Sequence, residues 1–237
     1  MEQKDRPVRE RILDAAEKLF AEKGYKETTT REIVREAGAS LSSLQAHFQG
    51  KDSVYYEARC RAINRLGQLM QPSLDEVRYL DRQGMLYGEA AWNLLYEIVS
   101  KYAHWGFAPE NQHTMLLVGR EMLEGAPVPG LPKEMIEEKF SVIRLLCERY
   151  TGTQGADWSM LLGHIVVLTV LALSGKRHQC DETGSKDLSL DLSREELKYQ
   201  VKSYLLLSLR AYLDIRKEHP LNCGDDLEEQ IQPDRGE

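Results

Sequence analysis

Cysteine is scarce and scattered in this chain of 237 residues. Cys60, Cys147, Cys180 and Cys223 form neither a CxxC pair nor the paired spacing of a zinc site, so a redox motif and a structural zinc are not expected and a reducing compartment fits. Long hydrophobic runs are missing too. The strongly apolar stretch Met160 to Leu173 has 14 residues with Gly163 and His164 inside it, short of the roughly 20 that span a bilayer, and reads as a buried helix with no membrane partner. The opening MEQKDRPVRERI lacks the apolar core of a secretory signal, so a cytoplasmic location is expected. There is no GxSxG elbow, no glycine-rich phosphate loop, no HExxH and no linked acid–base set, so the chain is not expected to be an enzyme, and no cofactor is implied. Fixed-period repeats are absent, as are alternating β-branched runs with paired turn signals. The expected fold is therefore all-α.

Excess positive charge is also lacking, with a net charge of -7. Its distribution matters more than its sum. Residues 1–61 carry 12 Lys and Arg against 11 Asp and Glu, which leaves 19 against 27 for the remainder. The acidity belongs to the larger part, and phosphate contact requires only a local cluster of donors, so the first sixty residues remain free to meet DNA. With 42% hydrophobic residues the chain can build a sizeable core without staples.

Ile12, Ala15, Ala16, Leu19 and Phe20 recur at the spacing of one buried stripe and predict a first helix from Val8 to Lys23, closed by Gly24. Thr29 or Thr30 is placed to cap a second helix that starts its apolar face with Ile33 and Val34 and ends at Ala37-Gly38. Leu41 to Phe48 predicts a third, with Leu44 and Phe48 inward and Ser42, Ser43, Gln45 and His47 pointing elsewhere. A longer helix runs from Lys51 until Pro72 interrupts it. Further helical patterns cover about Leu74 to Tyr79, Met85 to Gly106, Pro109 to Glu124, Pro132 to Tyr150, Ala156 to Ser174 and Arg194 to Lys217. The polar segment Gly175 to Ser193 is expected to be a loop, and the acidic residues 218–237 a disordered tail.

The stretch RERILDAAEKLFAEKGYKETTTREIVREAGAS, followed by LSSLQAHFQGKDSVY, resembles the DNA-binding head of the tetracycline-repressor (TetR) family. The likeness rests on Ala16, Leu19 and Phe20, on Gly24-Tyr25, on the threonine run, on Ile33 with Ala37-Gly38, and on His47-Phe48 with Lys51. It implies a helix-turn-helix head over residues 1–50 and a helical ligand-binding and dimerisation bundle over 51–217. It also implies a repressor released from a palindromic operator by a small molecule. By position, the resemblance carries DNA contact to Thr30, Ser40, Gln45, His47 and Lys51. The segment from His113 to Gly152, with REMLEGAPVPGLPKEM in it, resembles a CecR-like subgroup of the family.

Residue chemistry agrees with that assignment. A groove-reading helix needs an outward face of donors and acceptors: the Ser42 and Ser43 hydroxyls suit base edges or phosphates, and Gln45 can pair bidentately with adenine. Leu41 either packs on a thymine methyl or covers the turn, and His47 either touches phosphate or fills the surface beside Phe48. The family's frequent Lys-Gly-Thr opening is Leu41-Ser42-Ser43 here, and its usual aromatics are Gln45 and Ala46, so the operator sequence is not implied.

Two heads on a symmetric operator require a homodimer. The apolar circumference of 156–174 and the leucine-rich 194–217 are where the resemblance places the pairing surface. Trp92, Tyr96, Trp105, Met115 and Arg120 mix apolar walls with a polar handle as ligand pockets do, although aromatics four apart, as Trp92 and Tyr96 are, belong to a core more often than to a ligand wall. A second functional reading, a metal- or redox-responsive regulator, rests on His178, Cys180, Asp181 and Glu182 lying close together in the polar loop.

Overall fold

The computed structural model describes residues 6–124, 133–153, 165–170, 172–173 and 193–218, with side chains described outside 121–140. Every regular element among the described residues is helical. The order is α1 (Val8–Glu27), α2 (Thr30–Glu36), α3 (Leu41–His47), α4 (Lys51–Arg82), α5 (Glu89–Phe107), a 3-10 turn (Pro109–Asn111), α6 (Gln112–Glu124), α7 (Lys133–Thr151) and α8 (Arg194–Glu218). Residues 165–170 and 172–173 are helical as well.

The stripe of α1 does what its spacing predicts: Ile12, Ala16 and Phe20 are fully buried and meet Ile33, Leu44, Phe48, Val54, Tyr55 and Ala58 in one apolar cluster. That cluster reaches beyond residue 50, since Ala62 of α4 and Leu117 of α6 also belong to it. The body has its own core, in which the second half of α4 joins α5, Met115 of α6, α7, Val166, Val170 and the inward leucines of α8.

Two helix ends differ from the sequence expectation, each for a local reason. Gly24 does not close α1; it adopts a left-handed conformation (φ 81°) and the helix resumes to Glu27. The carbonyls around this break are held from outside the helix: Thr28 Oγ1 donates to the oxygens of Leu19 (3.1 Å) and Gly24 (2.8 Å), and Arg120 reaches those of Ala21 and Glu22. Pro72 does not end α4, which continues to Arg82. The ring removes the amide that the Gln68 carbonyl would bind, but both residues face solvent, and burial of Met70, Ser73, Leu74 and Val77 on the opposite side outweighs the local penalty of about 3 kcal/mol. A third boundary shifts because Gly88 (φ 51°) breaks the chain direction, so α5 starts at Glu89 and not near Met85. The polar loop up to 192, the tail from 219 and most of 156–174 lie outside the described residues.

Candidate nucleic-acid interface

The two short helices of the head are fixed by their caps. Thr29 Oγ1 accepts from the Glu32 amide (3.2 Å) while the Glu32 carboxylate accepts from the Thr29 amide (2.9 Å), a reciprocal capping box that selects Thr29 over Thr30 as the N-cap of α2. Lys23 also holds Glu32 (2.8 Å), and hydrogen bonds from Lys23 and then Thr29 lower its pKa to about 2. Gly38 (φ 56°) makes the turn, with its carbonyl accepting from Arg11 (3.3 Å). Ser40 then caps α3, accepting from the Ser43 amide at 3.0 Å.

On α3, Leu44 is buried and Phe48, just past its end, is buried too; this seats the helix and turns Leu41, Ser42, Gln45, Ala46 and His47 to solvent. Leu41 is 41% exposed, unlike a residue sealed over the turn. The hydroxyls of Ser42 and Ser43 each lie 2.8 Å from Ser40 Oγ, so the opening of α3 is a pre-ordered set of three hydroxyls. The His47 ring stands edge-on to Phe48 at 6.3 Å, exposed. Thr30 is the first residue of α2 and half-buried. At the start of α4, Gly50 gives no side-chain cap, Lys51 lies over the Tyr25 ring (4.2 Å) with its ammonium on the Lys26 carbonyl (3.3 Å), and the Tyr25 hydroxyl donates to Asp52. That hydrogen bond, with burial behind it, pushes Tyr25 up to about 12.

The basic N-terminus is already engaged inside the head. Arg6 pairs with Asp14, while Arg9 pairs with Glu57 and stacks over Phe48 at 5.5 Å, bracing the end of α3.

A charged joint that the sequence reading did not single out ties head to body. Buried Glu17 of α1 accepts from Arg61 (2.8 and 3.2 Å), Arg65 (2.7 Å) and the Thr114 hydroxyl; Arg61 also reaches Asp14 (2.8 Å) and Glu10 (3.2 Å). Burial works against the Arg61 charge, yet Glu17 and Asp14 outweigh it and raise its pKa. The sequence signal was there in part: Glu10, Asp14 and Glu17 share one face of α1, as Arg61 and Arg65 share one of α4.

The five residues read as a ligand pocket are distributed over separate places. Trp92 and Tyr96 join an aromatic group with Tyr150, over which Arg210 stacks at 4.9 Å from both Trp92 and Tyr150. Trp105 is half-buried against the body core, and Met115 is buried beside Gly106. Arg120 belongs to the joint, because the break at Gly24 frees the carbonyls it binds. Among the described residues no three His, Cys, Asp or Glu side chains gather as a metal site, and no helix is long and apolar enough to cross a membrane. His178, Cys180, Asp181 and Glu182 lie outside the described residues.

Residues 12–58 match the model of the bacterial regulatory proteins of the tetR family. The uncharacterized HTH-type transcriptional regulator YvkB of Bacillus subtilis (strain 168) is 43% identical over 66 residues, 28% of this chain and 35% of that protein. The biofilm operon icaADBC negative transcriptional regulator IcaR of Staphylococcus aureus (strain Newman) is 29% identical over 72 residues, 30% and 39% respectively. The match thus spans little more than a third of the length of these relatives. The fold likeness is broader. A TetR-like transcriptional regulator from Rhodococcus sp. RHA1 superposes with a TM-score of 0.57 at 16% identity, over 86% of this chain and 97% of its own. The transcriptional regulator FadR from Bacillus subtilis, solved with stearoyl-CoA, does so at 0.52 and 15% identity, over 83% and 97%. Residues 12–58 thus carry the head of the bacterial regulatory proteins of the tetR family, and the described helices share the fold of TetR-like regulators.

Proposed function

We propose that this protein is a dimeric, ligand-responsive repressor that acts on double-stranded DNA, and hence in the cytoplasm, and performs no catalytic step. The observation that carries the reading is the exposed face of α3. Leu44 and Phe48 anchor it from behind, and Leu41, Ser42, Gln45 and His47 project from a helix whose start is ordered by Ser40. Gln45 is assigned to base reading, Leu41 to a thymine methyl, and Ser40, Ser42, Ser43 and His47 to base edges and phosphate. Thr30 and Lys51 are assigned to phosphate, each at the first turn of a helix whose amides attract anions.

Dimerisation is supported by α8. Tyr204 (70% exposed), Leu207 (71%), Ala211 and Ile215 (57%) recur along one side of the helix, an apolar stripe that a lone subunit leaves in water. Ile165, 45% exposed, supplies an apolar side chain from the other segment assigned to pairing, 156–174. Among relatives, IcaR is named a negative regulator and FadR was solved with an acyl-CoA, which is why repression and a small-molecule effector are the habits carried over. In the proposed switch, a ligand in the body shifts α6 and α4 against α1, and the head separation changes; the ligand must bind one state better than the other.

The deciding experiment selects an operator from random DNA and measures binding against salt. Specific, salt-dependent binding should be lost in Gln45→Ala/His47→Ala while the dimer persists in ultracentrifugation. Unchanged specific affinity in that variant overturns the assignment of α3.

A further inference from the structure

A cleft of about 420 Å³ opens between α4, α5 and α8, lined by Leu69, Ser100, Lys101, His104, Glu195, Lys198, Tyr199 and Lys202. We propose that this cleft is the effector site for an amphipathic organic anion, a carboxylate, sulfonate or phosphate ester on an apolar or aromatic body. This rests on the reading of the chain as a ligand-responsive regulator and names the class of ligand.

The volume falls within the range of small-molecule sites. Its chemistry is one-sided. Three ammonium groups line the cleft, from Lys101, Lys198 and Lys202, against one lining carboxylate, Glu195. Lys101 is held by Glu97 and by Ser73 Oγ (2.9 Å), so its charge is already matched at the edge. Lys198 is different. Its side chain is only 17% exposed, yet its carboxylate partner Glu195 is 76% exposed, a solvated and screened pairing that a bound anion can displace at little cost. Lys202 has the face of Tyr199 at 5.9 Å and no carboxylate partner among the described residues.

Two further polar side chains line the cleft. The Lys198 ammonium stands 3.4 Å from His104 Nδ1, and because an ammonium can only donate, this contact uses Nδ1 as its acceptor. Ser100 Oγ is buried with no hydrogen-bond partner among the described residues, an unsatisfied hydroxyl in the wall of the cleft. Leu69 and the Tyr199 ring offer the apolar surface for the rest of the ligand. Ammonium and hydroxyl donors over an apolar wall select an anion with a hydrophobic body and reject a cation or a sugar.

The position suits an effector. Glu195, Lys198, Tyr199 and Lys202 fall at i, i+3, i+4 and i+7 on α8, and at about 100° per residue this face lies roughly opposite Tyr204, Leu207, Ala211 and Ile215. The cleft therefore stays open when the apolar stripe pairs. It also touches α4 at Leu69, in the same helix whose Arg61 and Arg65 hold Glu17 of the head.

The test uses the fluorescent probe anilinonaphthalene sulfonate and its uncharged counterpart phenylnaphthylamine on the full chain. Wild type should bind the sulfonate saturably, one per chain. In Lys198→Gln/Lys202→Gln its Kd should rise at least about tenfold, with the uncharged probe unaffected, and Lys198→Arg/Lys202→Arg should retain binding. Saturating sulfonate should weaken operator binding by wild type and not by the glutamine variant. Thermal melting confirms that the variants are folded. An unchanged sulfonate Kd, an equal loss for both probes, or binding with no operator response overturns the proposal. Operator affinity without probe is measured in parallel: if wild type binds no operator, the DNA-binding reading fails whatever the probe does.

Discussion

Arg120 of α6 donates to the carbonyl oxygens of Ala21 (2.8 Å) and Glu22 (3.0 Å), the backbone that the left-handed turn at Gly24 leaves without helical partners. A side chain of the body thereby completes the secondary structure of the head, and α6 is joined to α1 without an intermediary. Arg120→Met keeps the alkyl stem and deletes the donors. It should destabilise the fold by about 1–3 kcal/mol in urea unfolding, as expected for lost charge-assisted hydrogen bonds at a partly buried site. In an operator assay it should also reduce the ratio between free and effector-bound affinity. A variant with wild-type stability and wild-type response removes Arg120 from the coupling path.

Glu17 concentrates the second link, since one buried carboxylate receives Arg61, Arg65 and Thr114. Glu17→Gln should cost about 3 kcal/mol, because it leaves the half-sheltered Arg61 guanidinium short of its main counter-charge. The discriminating measurement is a double-mutant cycle with Arg65→Ala: residues sharing one network should couple by at least about 0.5 kcal/mol, whereas additive effects would mean that the two charges act independently.

How much of this was legible beforehand follows from the range of each interaction. Ile12, Ala16, Leu19 and Phe20 lie on one helix at a fixed period, so the scaffold of the head and the inward pair Leu44 and Phe48 are legible from spacing, whereas the choice of Thr29 over Thr30 as cap depends on the Glu32 contact. At Gly24 and Pro72 the local backbone rule yields to contacts made over longer range. The carbonyls of Ala21 and Glu22 meet Arg120, 99 and 98 places along the chain, and the face around Pro72 is fixed by burial against α5. The joint and the basic cleft were hidden for a related reason. Glu17 meets Arg65, and Lys198 meets His104, only after separate helices pack, and no periodicity within one helix encodes which of its polar residues will face another. Apolar walls with a polar handle describe a pocket and a core equally in sequence, and packing gathers Trp92 and Tyr96 with Tyr150 under Arg210.

The capping box of α2 should titrate. Hydrogen bonds from Lys23 and then Thr29 hold the Glu32 carboxyl at about 2, below its ordinary 4.5. A depressed carboxyl stabilises the fold fully above the ordinary value and loses that contribution as pH falls towards the depressed one. Glu32→Gln should therefore be less stable than wild type at neutral pH, with the difference shrinking between pH 4.5 and about 2. Urea midpoints of both proteins across that window provide the check. A pH-independent gap would assign the effect to shape and not to charge.

Gly106 marks a tight crossing in the body. A Cβ there would lie 2.6 Å from Val170 Cγ1 and 3.0 Å from Met115 Cε. Gly106→Ala gains helix propensity but forces this contact, and overpacking should prevail, with a net loss of about 1–3 kcal/mol. Val170→Ala in the same chain should recover part of that loss by clearing the methyl. Melting temperatures of the two single variants and the double variant test this directly, and a fully additive loss would place the strain elsewhere.

Leu41 separates the two roles that its sequence position allows. A leucine sealing the turn would be buried, and its removal would cost the several kcal/mol of a core truncation. At 41% exposure, on the solvent side of α3, Leu41 has little such burial to lose, so Leu41→Ala should alter stability by no more than about 0.5 kcal/mol. The same change should weaken the selected operator about fivefold and relax its preference for thymine at one position in each half-site, since what disappears is an apolar contact to the C5 methyl. Substituting uracil for that thymine should produce the same loss in wild type and none in the variant. If instead the variant melts early and binds every site with uniformly lower affinity, Leu41 supports the turn, and sequence reading on α3 falls to Ser42, Ser43, Gln45 and His47.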